Sequence, residues 1–358
     1  MDLDIFKPKA PPLFGLDISS SSVKMLEIVD AGKGAYRVDR YAIEPLAREA
    51  VVDGNINNLE AVAESVKRAY KRLGTRTKHV AMAVPTGAVI TKKIIVQSGL
   101  REEELEMQVE TEANQYIPFA LDEVNLDFQI AGPSASGSEE QEVLIAATRK
   151  EKVEDRVAVA ESAGLRALVM DVESYAQQAA LSLVVQQLPG GGRDQNIAVV
   201  DIGANVMNVS VLRNEQSVYT REQAFGGHQL TQDIVSRYGM SPDEAENAKR
   251  TGGLPDDFDS EVLRPFMENL SMEVQRALQF FFTSTQFSAV DQILLAGGSA
   301  VVPGLDEAVN TRTQVPTIVA NPFAAMQTSS RIQLKRLMTD APSLIVACGL
   351  AIRRFDPA

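Results

Sequence analysis

Residues 15–29 read GLDISSSSVKMLEIV, and residues 199–213 read VVDIGANVMNVSVLR. Each is an apolar run closing on Asp, then a turn of small residues, then a second apolar run. That pattern predicts strand, tight turn and returning strand, twice in one chain. The first turn sets Asp17 before Ser19, Ser20 and Ser21, and the second sets Asp201 before Gly203, Ala204 and Asn205. Small residues let backbone N–H groups converge on an anion, because no bulky side chain blocks the approach. Two such hairpins facing each other can clamp a polyphosphate. The Asp beside each can hold Mg²⁺ through water, since Mg²⁺ sheds its hydration shell reluctantly. A third turn, Gly297-Gly298-Ser299, follows the apolar run Ile293-Leu294-Leu295-Ala296 and permits close approach to a flat base. One such turn would be an ordinary hairpin; three in this order predict a nucleotide site. The Gly-x-x-x-x-Gly-Lys-Ser/Thr phosphate loop is absent from the chain, which excludes that class of site.

Around these turns, strand and helix patterns alternate, and the chain reads as α/β. Leu59 to Leu73 has apolar spacing of three and four, which predicts an amphipathic helix stopped by Gly74. His79 to Val84 and Ala88 to Val96 read as strands. Arg101 to Gln115 reads as a helix with an acidic first turn, ended before Pro118. Val124 to Ile130 and Val143 to Thr148 read as paired strands around a Gly- and Ser-rich mobile loop, 132–141. Leu188 to Asn196 holds Pro189 and three glycines and is the expected domain boundary. Glu261 to Thr285 reads as a long helix whose Phe280, Phe281 and Phe282 serve packing. Residues 1–12 are expected to form an extended, Pro-containing arm.

The chain has 358 residues, beyond the size at which a single core keeps growing, so two or more domains are expected. Its net charge of -13 argues against nucleic acid and against adsorption on anionic lipid. One cysteine, Cys348, excludes an intrachain disulfide and fits a reducing compartment. The first residues lack a basic region followed by an apolar stretch, so no signal peptide is expected. No run reaches the ~18–20 apolar residues of a membrane helix, and the protein is expected in the cytosol. His79 and His228 stand apart, which argues against a histidine metal cluster. Lys24 is expected to be a strand residue rather than a phosphate ligand.

The three turns in this order resemble the actin-like ATPase superfamily. Within it the chain is similar to the FtsA/PilM branch, and most closely to the PilM family of type IV pilus assembly proteins. The marks are LFGLDISSSSVKMLEI (13–28), QVETEANQYIPFALDEVNLDF (108–128), VVDIGANVMNVSVL (199–212) and AFGGHQLTQDI (224–234). The resemblance implies two actin-like, ribonuclease H-like domains around a nucleotide cleft, with an FtsA-type inserted subdomain. It divides the chain into a first subdomain (1–77, 166–190 and 340–358) and an insert (78–165). A second subdomain (196–232 and 290–339) and a small helical adenine-side subdomain (233–289) complete it. Asp17 to Ser21 looks like the first phosphate loop, Asp201 to Asn205 like the second, and Gly297 to Ser299 like the adenosine loop. Asp171-Val172-Glu173 and Ala347 to Ala351 look like the two connecting segments. Glu246, Lys249 and Arg250 look like the helix beside ribose and adenine, and Gly226-Gly227 belongs to the same nucleotide set.

The resemblance further implies ATP and Mg²⁺ as ligands, with Asp17 and Asp201 on the metal side and Glu173 orienting a water. Ser19-Ser20 stands where active relatives usually show Gly-Thr. Val206 and Asn208 stand where they often show Thr and Asp. Slow or negligible hydrolysis is therefore expected, with nucleotide as a conformational ligand. The implied partner is the N-terminal peptide of the membrane protein PilN, in a groove near Tyr116, Pro118, Phe119 and the strand His79–Val84. PilO and the rest of the platform would be reached indirectly, in support of pilus biogenesis and twitching motility. Such a chain would be cytoplasmic and peripheral at the inner membrane, without inserting into it. The resemblance leaves open contact with the pilus motor ATPases and self-association. Two other readings are an FtsA-like filament protein and a sugar-kinase-like phosphotransferase; the chain has no evident catalytic Asp or sugar-shaped insert for the latter.

Overall fold

The computed structural model describes residues 11–356 other than 33, 135, 136 and 138. The arm expected for residues 1–12 lies outside them except for Pro11 and Pro12. The chain opens with β1 (Leu13–Ile18), β2 (Ser22–Gly32) and β3 (Ala35–Pro45), an antiparallel meander in which Asp17 faces Lys24 across the first hairpin. Short β4 (Val51–Val52) and β5 (Asn55–Ile56) lead into α1 (Leu59–Leu73). The Asn58 side chain caps α1 by accepting from the Ala61 N–H, and Gly74 ends it at φ 65°. Next come β6 (His79–Val84), β7 (Val89–Gln97), α2 (Glu102–Tyr116), β8 (Val124–Pro133), β9 (Glu140–Arg149) and α3 (Lys150–Ser162). β10 (Arg166–Val172) returns to the first sheet, and α4 (Glu173–Val185) leaves it.

The second half repeats the plan. β11 (Asn196–Ile202), β12 (Met207–Arg213) and β13 (Gln216–Gln223) form another antiparallel meander. Helices α5 (Gly227–Tyr238), α6 (Pro242–Thr251) and α7 (Arg264–Ser284) follow, then β14 (Gln292–Ala296), α8 (Leu305–Thr313) and β15 (Thr317–Val319). The chain closes with β16 (Gln327–Thr328), α9 (Leu334–Asp340) and α10 (Ile345–Ile352). One sheet runs β10-β6-β1-β2-β3-β16 and the other β13-β12-β11-β14-β15. Each thus pairs a hairpin meander with two parallel strands beside its first strand. The weak repeat between 15–29 and 199–213 is the visible part of that shared topology.

Two boundaries differ from the division expected from sequence. The stretch 78–165 does not form one inserted unit. β6 lies inside the first sheet, hydrogen-bonded to β1 on one side and β10 on the other. On α3, Val159 and Ala160 are buried in the core of that same sheet. The separate unit is the three-stranded sheet β7-β9-β8, with α2 packing Leu105, Val109 and Ala113 against it. β16, placed by sequence in the second subdomain, pairs with β3 of the first. Two-residue strands carry too little pattern to be assigned from sequence, and partner choice for β6 depends on long-range pairing.

Helices α4 and α10 lie between the two sheets. Their apolar residues Ala180, Leu181, Ala347, Cys348 and Ala351 share one core with Leu26 and Ile28 of the first sheet and Val199 and Leu294 of the second. Contact is close because side chains are missing where they would collide. A Cβ on Gly349 would overlap the Ala176 carbonyl, and one on Gly15 would overlap the Ala347 carbonyl. Cys348 is buried here, and burial pushes its thiol well above the ordinary range. On α7, Phe281 is buried among Tyr219, Phe282 and Phe287, whereas Phe280 is exposed under the Arg221 guanidinium. Gly349→Ala should cost about 3 kcal/mol or more in chemical denaturation, because neither backbone can retreat. Gly298→Ala, which meets open space, should stay within about 0.5 kcal/mol.

Candidate functional site

The β1–β2 hairpin turns through Ser19, Ser20 and Ser21. The Ser19 N–H and hydroxyl both donate to the Ser22 carbonyl at 3.0 Å. Lys24 is a strand residue as expected, yet its side chain reaches back over the turn. Its Nζ lies 2.9 Å from Asp17 Oδ2 and donates to Ser19 Oγ at 3.2 Å. Register could have shown this, since Asp17 and Lys24 are cross-strand partners on one face.

The second hairpin is closed by the Gly203 N–H donating to the Val206 carbonyl at 2.9 Å. Two further loops are bonded onto it. Gly227 and His228, at the start of α5, donate their N–H groups to the carbonyls of Gly203 (2.9 Å) and Ala204 (2.8 Å). Ser299 donates its N–H to Ile202 O at 3.2 Å and its hydroxyl to Gly203 O at 3.3 Å. Gly297 sits at φ 88°, where a Cβ would strike Asp201 Oδ1 and the Ile202 carbonyl. Gly226 faces the Ala204 carbonyl with equally little room. Gly203, Ala204, Gly227 and Ser299 are therefore hydrogen-bonded into one set of turns, and Asp201, Asn205, Gly226, Gly297 and Gly298 lie in the same loops.

α6 is tied to the same set. Thr231 donates to Glu246 Oε2 at 2.8 Å, and Lys249 Nζ donates to Thr231 Oγ1 (2.9 Å) and to Gly227 O (3.3 Å). Lys249 and Arg250 both pair with Glu246, at 2.7 and 3.0 Å. The three α6 residues singled out from sequence thus lie beside the start of α5, engaged with one another.

The two halves meet at a group of charges. Glu173 is the first residue of α4, and Gln177, one turn on, donates its side-chain N–H to Asp201 Oδ2. Glu173 is pushed up to about 7, by burial first and then by the charge of Asp17, with Arg156 and Lys24 opposing. Asp201 is also raised, again by burial first, with Lys24 and the Gln177 hydrogen bond opposing. Asp17 is only 5% exposed. Glu173 and Asp201 are half-buried, and three acids faced by few cations favour a positively charged guest. Among the described residues, no group of three or more His, Cys, Asp or Glu is placed to hold a metal by itself. A Mg²⁺ ion here would need water and phosphate oxygens to complete its shell, and the donor set fits that demand. Sequence reading missed Gln177 and Arg156. Neither belongs to a turn, and each reaches its place only when α4 or α3 packs against the sheets.

At the end of α2, Ile117 is buried in the core of the three-stranded unit, whereas Tyr116, Pro118 and Phe119 are exposed. Lys92 lies over the Tyr116 ring at 4.3 Å and Arg149 over the Phe119 ring at 5.2 Å. β6, named with them as a groove wall, is an interior strand whose side chains are almost all buried. It has no unpaired edge to offer a peptide. The edge strands of that sheet are β10, where Leu168 is exposed, and the short β16.

A family model described as type IV pilus assembly protein PilM matches residues 15–355. A solved structure of a PilM–PilN type IV pilus biogenesis complex superposes with a TM-score of 0.79 at 28% identity, covering 98% of this chain and 100% of that one. The ethanolamine utilization protein EutJ of Carboxydothermus hydrogenoformans superposes with a TM-score of 0.57 at 15% identity, over 97% of this chain and 90% of that one, a likeness of fold alone. Among curated proteins, EutJ of Escherichia coli (strain K12) is 27% identical over 126 residues, 34% of this chain; the chain spans 40% of that relative's length. The α/β fold of two actin-like domains expected from sequence is the architecture these structures share.

The folded value of Glu173, about 7, lies above its ordinary 4.5. Between those pH values the folded chain holds a proton that the unfolded chain has lost. The stabilisation is therefore complete below 4.5 and disappears as pH rises through 7. Each unit is worth about 1.4 kcal/mol. In metal-free buffer, Glu173→Gln should melt a few degrees above wild type at pH 8 and converge on it towards pH 4.5. Parallel melting curves across that range would contradict the burial of this carboxyl.

Proposed function

The chain belongs to the PilM family of type IV pilus assembly proteins, and from that premise we propose that it is an ATP-binding adaptor of the pilus assembly platform. The observation that carries the nucleotide half is the meeting of Asp17, Glu173 and Asp201 between two small-residue hairpins, with Lys24 at the first. The Ser19–Ser21 and Gly203–Asn205 turns would bind phosphate through backbone N–H groups. Gly226, Gly227, Gly297, Gly298 and Ser299 would line the base side, with Glu246, Lys249 and Arg250 near the ribose. Asp17 and Asp201 would orient the waters of Mg²⁺, and the bound ion would offset phosphate charge. Lys24 already neutralises Asp17, so it would exchange a carboxylate partner for a phosphate.

Turnover would be slow. Across the strand pair from Asp201 stands Asn208, an amide that neither takes a proton nor carries charge. Glu173 is the one acid left to orient a water, and burial together with the charge of Asp17 disfavours its charged form. Nucleotide would then act through differential affinity for two arrangements of the domains rather than through a hydrolytic cycle.

The adaptor half rests on the similarity to a chain solved in complex with PilN. We assign the exposed Tyr116, Pro118 and Phe119 to the surface that receives the N-terminal peptide of a PilN. Among the described residues no helix is long and apolar enough to cross a membrane, so attachment to the inner membrane would come from that partner. PilO and the other platform proteins would be reached through it, in pilus biogenesis and twitching motility.

A thermal melt tests both halves. A ligand at 100 times its dissociation constant adds about 2.7 kcal/mol to the native state, a rise of a few degrees. Mg-ATP and a PilN N-terminal peptide should each produce that rise. Asp17→Ala and Asp201→Ala should each weaken Mg-ATP at least about tenfold, roughly 1.4 kcal/mol; unchanged affinity in both would remove the nucleotide reading. Replacing Tyr116 and Phe119 together by Ala should abolish the peptide's shift and leave that of Mg-ATP intact.

A further inference from the structure

Arg156 on α3 is 1% exposed and is the largest fully buried side chain among the described residues. Its guanidinium donates only to carbonyls: Ala83 O at 2.7 Å, Gly54 O at 2.8 Å and Lys152 O at 3.3 Å. Ala83 lies at the end of β6 beside the crossing into the three-stranded unit, Gly54 lies in the β4–β5 turn, and Lys152 is one turn back on α3 itself. Ala83 lies two residues before Pro85, where the chain departs for β7. Lys152 lies three residues past the end of β9. Gly54 supports the same hinge: at φ 74°, its Cβ would stand 2.6 Å from Pro85 Cγ. One planar fork thus binds α3, which follows the return from β9, to the end of β6, which precedes the departure, and to the turn that props it.

Carbonyls satisfy the donors of Arg156 without cancelling its charge, and an uncompensated buried charge is costly. The carboxylates that act on it are Glu173, Asp155 and Asp17. Two of the three belong to the cleft. A second link joins the same parts. The first turn of α4 runs Glu173, Ser174, Tyr175. Glu173 takes part in the cleft charges, while the Ser174 N–H donates to Thr86 Oγ1 at 3.1 Å, just inside the three-stranded unit.

We propose that the base of the three-stranded unit and the acidic floor of the cleft are one coupled element, held by Arg156 as a positioning residue and by the Thr86–Ser174 bond. On the reading above, that the cleft takes Mg-nucleotide, a ligand bringing a divalent cation and phosphates changes the charge opposite Arg156. The rigid fork passes that change to Ala83 and Gly54, and the order of β7 and β9 follows. By linkage, a partner seated on the three-stranded unit alters nucleotide affinity by the same factor.

Amide hydrogen exchange on the full chain, with and without Mg-ATP, tests this at residues 89–97 and 140–149, beside a melting curve on the same samples. In wild type, Mg-ATP should raise the melting temperature and change exchange at those strands about fivefold, the low end of ordinary coupling. Arg156→Lys keeps the charge and loses the fork; Thr86→Val removes the second link at a residue away from the cleft. In each, Mg-ATP should still raise the melting temperature while the response of the strands is lost or cut by half or more. Strands that respond as in wild type in both variants overturn the proposal, as do wild-type strands that ignore a nucleotide that raises the melting temperature. If Arg156→Lys does not fold, Thr86→Val alone decides. A wild-type melting temperature unmoved by Mg-ATP overturns the nucleotide reading itself, and this inference with it.

Discussion

The carbonyl of Ala176 faces Gly349 with no space for a methyl group between them, and the carbonyl of Ala347 faces Gly15 in the same way. Everything else in the molecule is arranged around that contact. α4 carries the chain from the first sheet to the second, and α10, which follows the return at β16, packs against α4 and β1. Both lie in the layer between the sheets, so their separation sets how closely the two halves approach. Because the backbones nearly touch, the ends of β1 and β11 come to the same place, and Asp17 and Asp201 act on each other across it. A helix pair held apart by ordinary side chains would leave two hairpins too distant to share a ligand.

The charges at that place are balanced in an unusual way. Asp17 is paired with Lys24, Asp201 is held by Gln177, and Glu173 keeps its proton into the neutral range. No single group supplies a full countercharge for all three acids. Such an arrangement is stable without a ligand and still electrostatically receptive to a cation. It also explains why the small-residue turns are so tightly bonded to one another. Gly203 accepts from both Gly227 and Ser299, so the second hairpin, the start of α5 and the turn after β14 cannot move separately.

The three-stranded unit is a different kind of element. It buries α2 against one sheet face and leaves Ile95, Met107, Tyr116, Phe119 and Ile130 exposed. Its attachment to the body is narrow and polar at Thr86, whose Oγ1 accepts from the Ser174 N–H of α4. A narrow polar hinge permits reorientation at lower cost than a broad apolar interface, because bonds of this kind are readily exchanged for water.

The amino-acid sequence by itself determined the local elements. Alternating apolar runs set the strands around Asp17 and Asp201, threefold and fourfold spacing set α1, and small residues set the turns that make the candidate site, from Ser19 to Ser299. These depend on neighbours a few residues away, and short-range pattern carries them. Tertiary structure alone decided which strands share a sheet. β6 reads like any apolar strand, and its place between β1 and β10, outside the inserted unit, follows only from long-range hydrogen bonding. It likewise decided the company of the site. Gln177 and Arg156 lie on helices without any motif; Gln177 reaches Asp201 because α4 packs closely against α10 at Gly349, and Arg156 reaches its carbonyls because α3 packs into the core of the first sheet. Contacts between residues far apart in the chain are set by packing geometry, which leaves no periodic trace in the sequence.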